Sequence, residues 1–221
     1  MASQSRRILV GTLDRMVYSS ANYWVGMLSD LAAAMAFLAL GLNRFSGSSI
    51  VAGGVAVVGF VSWGLLEYVV HRWVLHGPPS MARRGHAQHH ADPGALISTP
   101  LFVIMTGALA IWGLLGLVLP AGLGALLVFG LYAGYNYFAL VHHLQHHLGN
   151  DLARVGYLGR RERLHHLHHY RHVVNFGIST TIWDRLFGTF QPTNERTTDY
   201  VFWSTIRSYW IKLTCKPNAT S

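Results

Sequence analysis

Apolar residues in this chain come in runs long enough to predict four membrane-crossing helices, at about residues 23–42, 49–76, 100–120 and 121–147. A hydrocarbon core of ~30 Å takes ~20 helical residues. The second and fourth runs therefore overshoot it, and the surplus turns carry histidines. The first two runs are joined by Asn43-Arg44-Phe45-Ser46-Gly47-Ser48 and the last two by little more than Pro120-Ala121-Gly122, so both connections are tight turns on one side. On the other side lie the N-terminal residues, the segment 77–99 and everything after His147. Residues 77–99 and 148–221 then form a cap over one end of the bundle, and 1–221 reads as one domain: an all-α, integral membrane four-helix domain with a helical cap.

Charge sharpens this picture. Only 12% of residues are Asp, Glu, Lys or Arg, against about 25% in an ordinary soluble domain. None of them occurs between Asp92 and Asp151, or between Arg44 and Glu67. A soluble fold needs charged helix faces far more often than that, which excludes a soluble enzyme and a disordered chain. Of the 17 Lys and Arg, only Arg44 falls on the side of the tight turns. The positive-inside rule therefore predicts a multi-pass protein with both termini in the cytoplasm. The net charge of +8 is read as membrane-flanking basic residues, with no nucleic-acid partner. Arg6 and Arg7 precede an apolar run that Asp14 and Arg15 interrupt early, unlike a signal peptide. Tyr200, Phe202, Trp203, Ile206, Tyr209, Trp210 and Leu213, alternating with Arg207 and Lys212, suit either an interfacial helix or an ordinary packed one. The sequon at Asn218 falls on the cytoplasmic side, where it would not be used. The single cysteine, Cys215, excludes a disulfide framework and any cysteine-based metal site.

All 14 histidines lie between residues 71 and 172, in four groups at the predicted cytoplasmic ends of the spans or in the cap. The first is His71 and His76. Their spacing of five does not share a face in a regular helix, so His76 is expected on an unwinding end, ahead of Gly77-Pro78-Pro79. The second is His86, His89 and His90. The third, His142-His143-Leu144-Gln145-His146-His147, offers two i,i+4 pairs on adjacent faces. The fourth is His165, His166, His168 and His169, with His172 beyond. Imidazole is a neutral ligand for Fe, Zn and Cu, and about ten rings exceed the needs of one ion of six or fewer ligands. Two metals fit the supply. A storage tract would be low-complexity, whereas these spacings are helical. A metal-binding or transport protein is the non-enzyme alternative, but transporters place ionisable groups near the bilayer midplane rather than at one edge.

The runs Glu67-Tyr68-Val69-Val70-His71-Arg72-Trp73-Val74-Leu75-His76, His86-x-x-His89-His90 with Pro93, His142-x-x-x-His146 and His165-x-x-His168-His169, followed by Phe176-Gly177-Ile178-Ser179-Thr180-Thr181-Ile182-Trp183-Asp184 and Phe187-Gly188-Thr189, resemble the fatty acid hydroxylase/sterol desaturase superfamily over about residues 60–190. The closest likeness is to the catalytic domain of fatty acid 2-hydroxylases. The resemblance implies two iron ions (Zn also fitting such a site in purified samples) bound by His71, His76, His86, His89, His90, His142, His146, His165, His168 and His169. It implies O2 as co-substrate and an acyl chain from the bilayer, hydroxylated next to the carbonyl. A sterol or carotenoid hydroxylase or desaturase of the same superfamily is the enzyme alternative. His143 or His147 replaces its neighbour as ligand if the helix is rotated by one residue. Glu67, one turn before His71, is expected to accept that ring's other N–H. Asp184 is expected either to do so for a cap histidine or to serve as a turn carboxylate, and His172 to act just outside the ligand set or on substrate. Gly177 and Trp183 read as structural. With no cytochrome b5 domain in view, electrons are expected from a separate donor, cytochrome b5-like or ferredoxin-type, docking on Arg154, Arg160, Arg161 and Arg163 or leaving those residues to lipid headgroups.

Overall fold

The structure, a computed structural model, describes residues 11, 13, 15–149 and 156–193. The proposed interfacial segment 200–213, Cys215, Asn218 and Arg154 lie outside the described residues. Within them the fold is all-helical: α1 (Ser20–Arg44), α2 (Ser49–Val69) running into a π-helical turn (Val70–Leu75), α3 (Met81–Ala91), α4 (Leu101–Leu115), α5 (Ala121–His147), α6 (Gly156–Tyr170) and a short α7 (Ile182–Leu186).

Three of these, Ser20–Arg44, Ser49–Leu75 and Ala121–His147, are long and apolar enough to cross a membrane. The third predicted span departs from expectation, because α4 has only 15 residues. At ~1.5 Å per residue it covers ~22 Å, short of the ~30 Å core. Residues 117–119 are apolar but leave the helix as turns, with Leu117 N–H on Leu114 O (3.1 Å) and Leu119 N–H on Leu115 O (2.8 Å). Pro120 disfavours helix in the residue before it, and hydropathy counts an apolar turn as though it were helix.

Helix α5 is the hub, packed against α1, α2, α4 and α6. Its crossing with α2 brings the two backbones together: a Cβ on Gly130 would lie 2.1 Å from Ala56 O, and one on Gly59 2.2 Å from Leu127 O. Small residues are what allow apolar helices to approach this closely. Against α1 and α4 the contact is a cluster of Ala33, Ala34, Phe37, Ala108, Ala125, Val128 and Tyr132. Outward-facing side chains such as Leu28, Val57, Val58 and Leu114 are apolar and exposed, as a lipid-facing surface requires.

The polar ends are placed by capping. Ser19 and Ser48 accept from the third residue beyond, at Asn22 N and Val51 N. Asn22, buried, bonds Ser98 Oγ (2.7 Å) and Thr99 O (3.1 Å), and accepts the free Leu101 N–H of α4 (3.1 Å). At the end of α5, Tyr23 OH meets His143 Nδ1 at 2.8 Å. The N-terminal end of α1, the π-turn and the C-terminal end of α5 therefore form one end of the bundle, and α3 and α6 close over it.

Candidate metal centre

The π-turn decides the first pair of histidines. His76 N–H donates to His71 O at 3.1 Å, an i→i+5 bond that stacks residue i+5 above residue i. The two rings come to 5.1 Å between centroids. Unwinding is thus not what turns both inward; an inserted residue per turn is. Gly77 is required straight afterwards, since a Cβ there would lie 1.8 Å from Trp73 O.

The other histidine-bearing helices use the ordinary i,i+4 rule. His86 and His90 share one face of α3, His142 and His146 one face of α5, and His165 and His169 one face of α6. Adjacent residues then diverge. Two groups of five result: His71, His76, His86, His90 and His168, and His89, His142, His146, His165 and His169, the candidate ligand atoms within each lying within 4.8 Å of one another. His89-His90 and His168-His169 each send one ring to either group. The groups adjoin, with the His90 and His169 rings stacked at 4.2 Å.

The donor geometry fits a cation at the centre of each group. In the first, Nε2–Nε2 separations are 3.0 Å for His71–His86, 2.9 Å for His86–His76, 3.0 Å for His90–His86 and 3.1 Å for His76–His168. In the second they are 3.1 Å for His142–His89, 3.1 Å for His146–His142, 2.8 Å for His165–His146 and 3.1 Å for His169–His165. Imidazole nitrogens ~2.1 Å from an ion and at right angles to one another stand ~3.0 Å apart, against ~3.4 Å in a tetrahedron. His86 Nε2 faces three other rings at once, which no single proton can satisfy. His71 and His168 meet main-chain carbonyls through Nδ1, at Phe176 O and at Val174 O (2.8 Å). Each Nδ1 must therefore carry the proton, and each Nε2 lone pair points inward.

Burial keeps these rings neutral. Loss of solvent lowers His76 and His89 to about 4 and His90 to about 2, where neighbouring His168 adds to the effect. His86, His165, His168 and His169 are lowered by the same desolvation, and next by an adjacent imidazole in each case.

The remaining predicted residues fall outside the two groups. His143 is held by Tyr23 and packs on Trp24 and His147, so the rotated helix, with His143 or His147 as ligand, is not what forms. His166 pairs with Glu162 at 2.9 Å. His172 lies at the rim, its ring 4.5 Å from His90 and its Nε2 on His169 O at 2.9 Å.

Glu67, expected from sequence to accept from His71, does not do so; its carboxylate takes the N–H of Ile178, the N–H of Ser179 (3.0 Å) and the Ser179 hydroxyl. Asp184, fully buried, likewise accepts from Phe176 N–H and Gly177 N–H, both at 2.8 Å, rather than from a histidine. Gly177 is obligatory, because a Cβ there would meet Thr180 O at 2.1 Å. Arg161 is 3% exposed and donates to Gly177 O and Ile178 O. It is not a docking residue, which breaks up the surface expected from Arg154, Arg160, Arg161 and Arg163. The acceptors that sequence reasoning missed, Val174 O and Phe176 O, are backbone atoms with no side-chain signature.

An apolar crevice of about 150 Å³ lies between α2, α4 and α5. Trp63 and Tyr135, in its lining, both touch Phe138 (ring centroids 5.9 and 6.2 Å). Phe138 in turn stacks on His142 at 5.7 Å.

Comparison with known proteins agrees with this arrangement. The chain is 28% identical over 194 residues to the fatty acid 2-hydroxylase of Mus musculus, covering 80% of this chain and 50% of that one. It is 32% identical over 150 residues to the ceramide very long chain fatty acid hydroxylase scs7 of Schizosaccharomyces pombe, covering 62% and 42%. The chain thus spans about half the length of the curated relatives it matches. A solved structure of full-length scs7p, in which only the hydroxylase domain is visible, shares the fold with a TM-score of 0.66 at 21% identity, covering 82% of this chain and 72% of that one. The model of the fatty acid hydroxylase family matches residues 56–189, a stretch that holds both groups of five imidazoles and the loop behind them, and the chain belongs to that family.

Proposed function

We propose that this chain is an O2-dependent dimetal hydroxylase of a lipid acyl chain, acting next to the carbonyl in the manner of fatty acid 2-hydroxylases. The observation that carries this is the convergence of ten imidazoles into two adjoining groups of five at one end of an apolar bundle. The first group would hold one ion and the second the other. Two irons there would supply O2 activation and the oxidising power that an unactivated C–H bond demands. In net terms, one oxygen atom enters the C–H bond as hydroxyl and the other leaves as water, with two electrons and two protons consumed.

The chain's own residues bind, orient and exclude. The crevice lined by Trp63, Leu66, Val103, Ile104, Leu131 and Tyr135 takes the acyl chain from the bilayer, and Phe138 carries its apolar wall up to His142. Helices α3 and α6 keep bulk water off the rings, with His168 0% and His165 2% exposed. Both termini face the cytoplasm in this reading, residues 1–221 act as one membrane domain, and a separate cytochrome b5-like or ferredoxin-type donor supplies the electrons.

The test is lipid mass spectrometry of cells with and without the gene. Acyl chains heavier by one oxygen, adjacent to the carbonyl, are the expected product. Oxygen added only to sterols or carotenoids, or none added by protein carrying both metals, would overturn the proposal.

A further inference from the structure

Among the described residues, the ligand-ring Nδ1 atoms that meet a main-chain carbonyl are those of His71 and His168, and both belong to the first group. In the second group, His165 Nδ1 and His169 Nδ1 are buried with no hydrogen-bond partner; in the first, only His90 Nδ1 is. The two carbonyls come from one stretch, Val174–Ser179, and that stretch is held from three sides. Glu67, on α2, takes its N–H groups at 178 and 179. Asp184, on α7, takes those at 176 and 177. Arg161, on α6, takes the carbonyls at 177 and 178. Asp184 is itself fixed by a directional series in which Arg72 donates to Tyr68 OH (2.7 Å), Tyr68 to Thr189 Oγ1 (3.0 Å) and Thr189 to Asp184 Oδ1 (2.8 Å).

An N–H···O=C bond on the far side of a ligating imidazole fixes its tautomer and orientation and raises its basicity. Losing such a partner costs about 10- to 100-fold in metal affinity. We infer that Glu67, Asp184 and Arg161 are positioning residues for the first metal site alone, acting through the Val174–Ser179 backbone, and that the two sites therefore differ: the first holds its ion firmly and the second releases its ion readily. This rests on the dimetal reading above.

The full chain, purified and loaded with Zn(II), is mixed with excess chromophoric chelator, and zinc release is followed in time. Two phases are expected. His146→Ala, which damages the second group, should abolish the fast phase and leave the slow one. Asp184→Asn and Glu67→Gln should speed the slow phase by about 10- to 100-fold while leaving the fast phase unchanged. A merely structural role would move both phases together. Release of both ions at one rate, loss of the slow phase in His146→Ala, or equal effects on both phases would overturn the inference. The wild-type and His146→Ala traces decide it even if the carboxylate variants do not fold. A chain that takes up no zinc at all refutes the dimetal reading itself, which a single release rate does not.

Discussion

Glu67 and Asp184 are the two carboxylates whose location in the sequence pointed at histidines, yet each reaches its target through backbone. A buried carboxylate accepts several N–H groups at once, and the Phe176–Ser179 stretch offers them in succession, so it wins over a single imidazole N–H. The ligands are then oriented by carbonyls that stand still because the carboxylates hold their neighbours. Two predictions belong at this scale. His89→Ala removes one ring of the second group, and metal analysis of the purified variant should show about half the wild-type content together with loss of hydroxylation; full occupancy and turnover would contradict the ligand assignment. His143→Ala cuts the hydrogen bond to Tyr23 (2.8 Å) and the packing on Trp24 and His147 but removes no ring of either group, and metal content should stay at the wild-type level. Loss of an ion from that variant would revive the rotated helix.

At the scale of elements, the π-turn and the close crossing of α2 with α5 do most to shape the site. The π-turn costs a regular hydrogen-bond ladder and gains a second inward imidazole, while Gly77 lets the chain leave at once. At the crossing, Gly130 has no room for a methyl group, with Ala56 O 2.1 Å from its notional Cβ. Gly130→Ala should push α2 from α5 and destabilise by about 1–3 kcal/mol, the usual cost of overpacking, read as a lower unfolding midpoint in detergent. Gly107 offers the opposite case. It lines the crevice, and a Cβ there meets nothing within 4 Å. Gly107→Leu should fold normally and shift the hydroxylated products toward shorter acyl chains, measured as the product distribution on mixed-length substrates. An unchanged distribution would remove the crevice from the substrate path.

For the whole molecule, α1, α2 and α5 form an apolar body that needs lipid around it, and ions held by the two groups of histidines would couple one end of that body to its cap. Rings from the π-turn, α3, α5 and α6 meet in the two groups, so ions that bind only the folded chain stabilise it by mass action. Stripping the metals should lower the unfolding midpoint and expose the α3 and α6 segments to proteolysis first. An unaltered midpoint and cleavage pattern in the stripped protein would mean that the cap closes without metal.

The membrane character, the ends of α5 and the four histidine groups could be read from residue types and spacing, because hydropathy and i,i+4 periodicity are local properties of the chain, whereas the choice of ten among the fourteen histidines was implied by the family resemblance. The shortness of α4 could not, since an apolar turn and an apolar helix look alike in composition. Nor could the sorting of His89 from His90, or of His168 from His169, into different groups: neighbouring residues point ~100° apart on a helix, and only the placement of four helices around two centres decides which side each ring meets. The roles of Glu67, Asp184 and Arg161 also waited for the tertiary structure. Apart from the Ser179 and Thr189 hydroxyls, their partners are backbone groups from 7 to 112 residues away, and a backbone N–H or carbonyl leaves no mark in an amino-acid sequence.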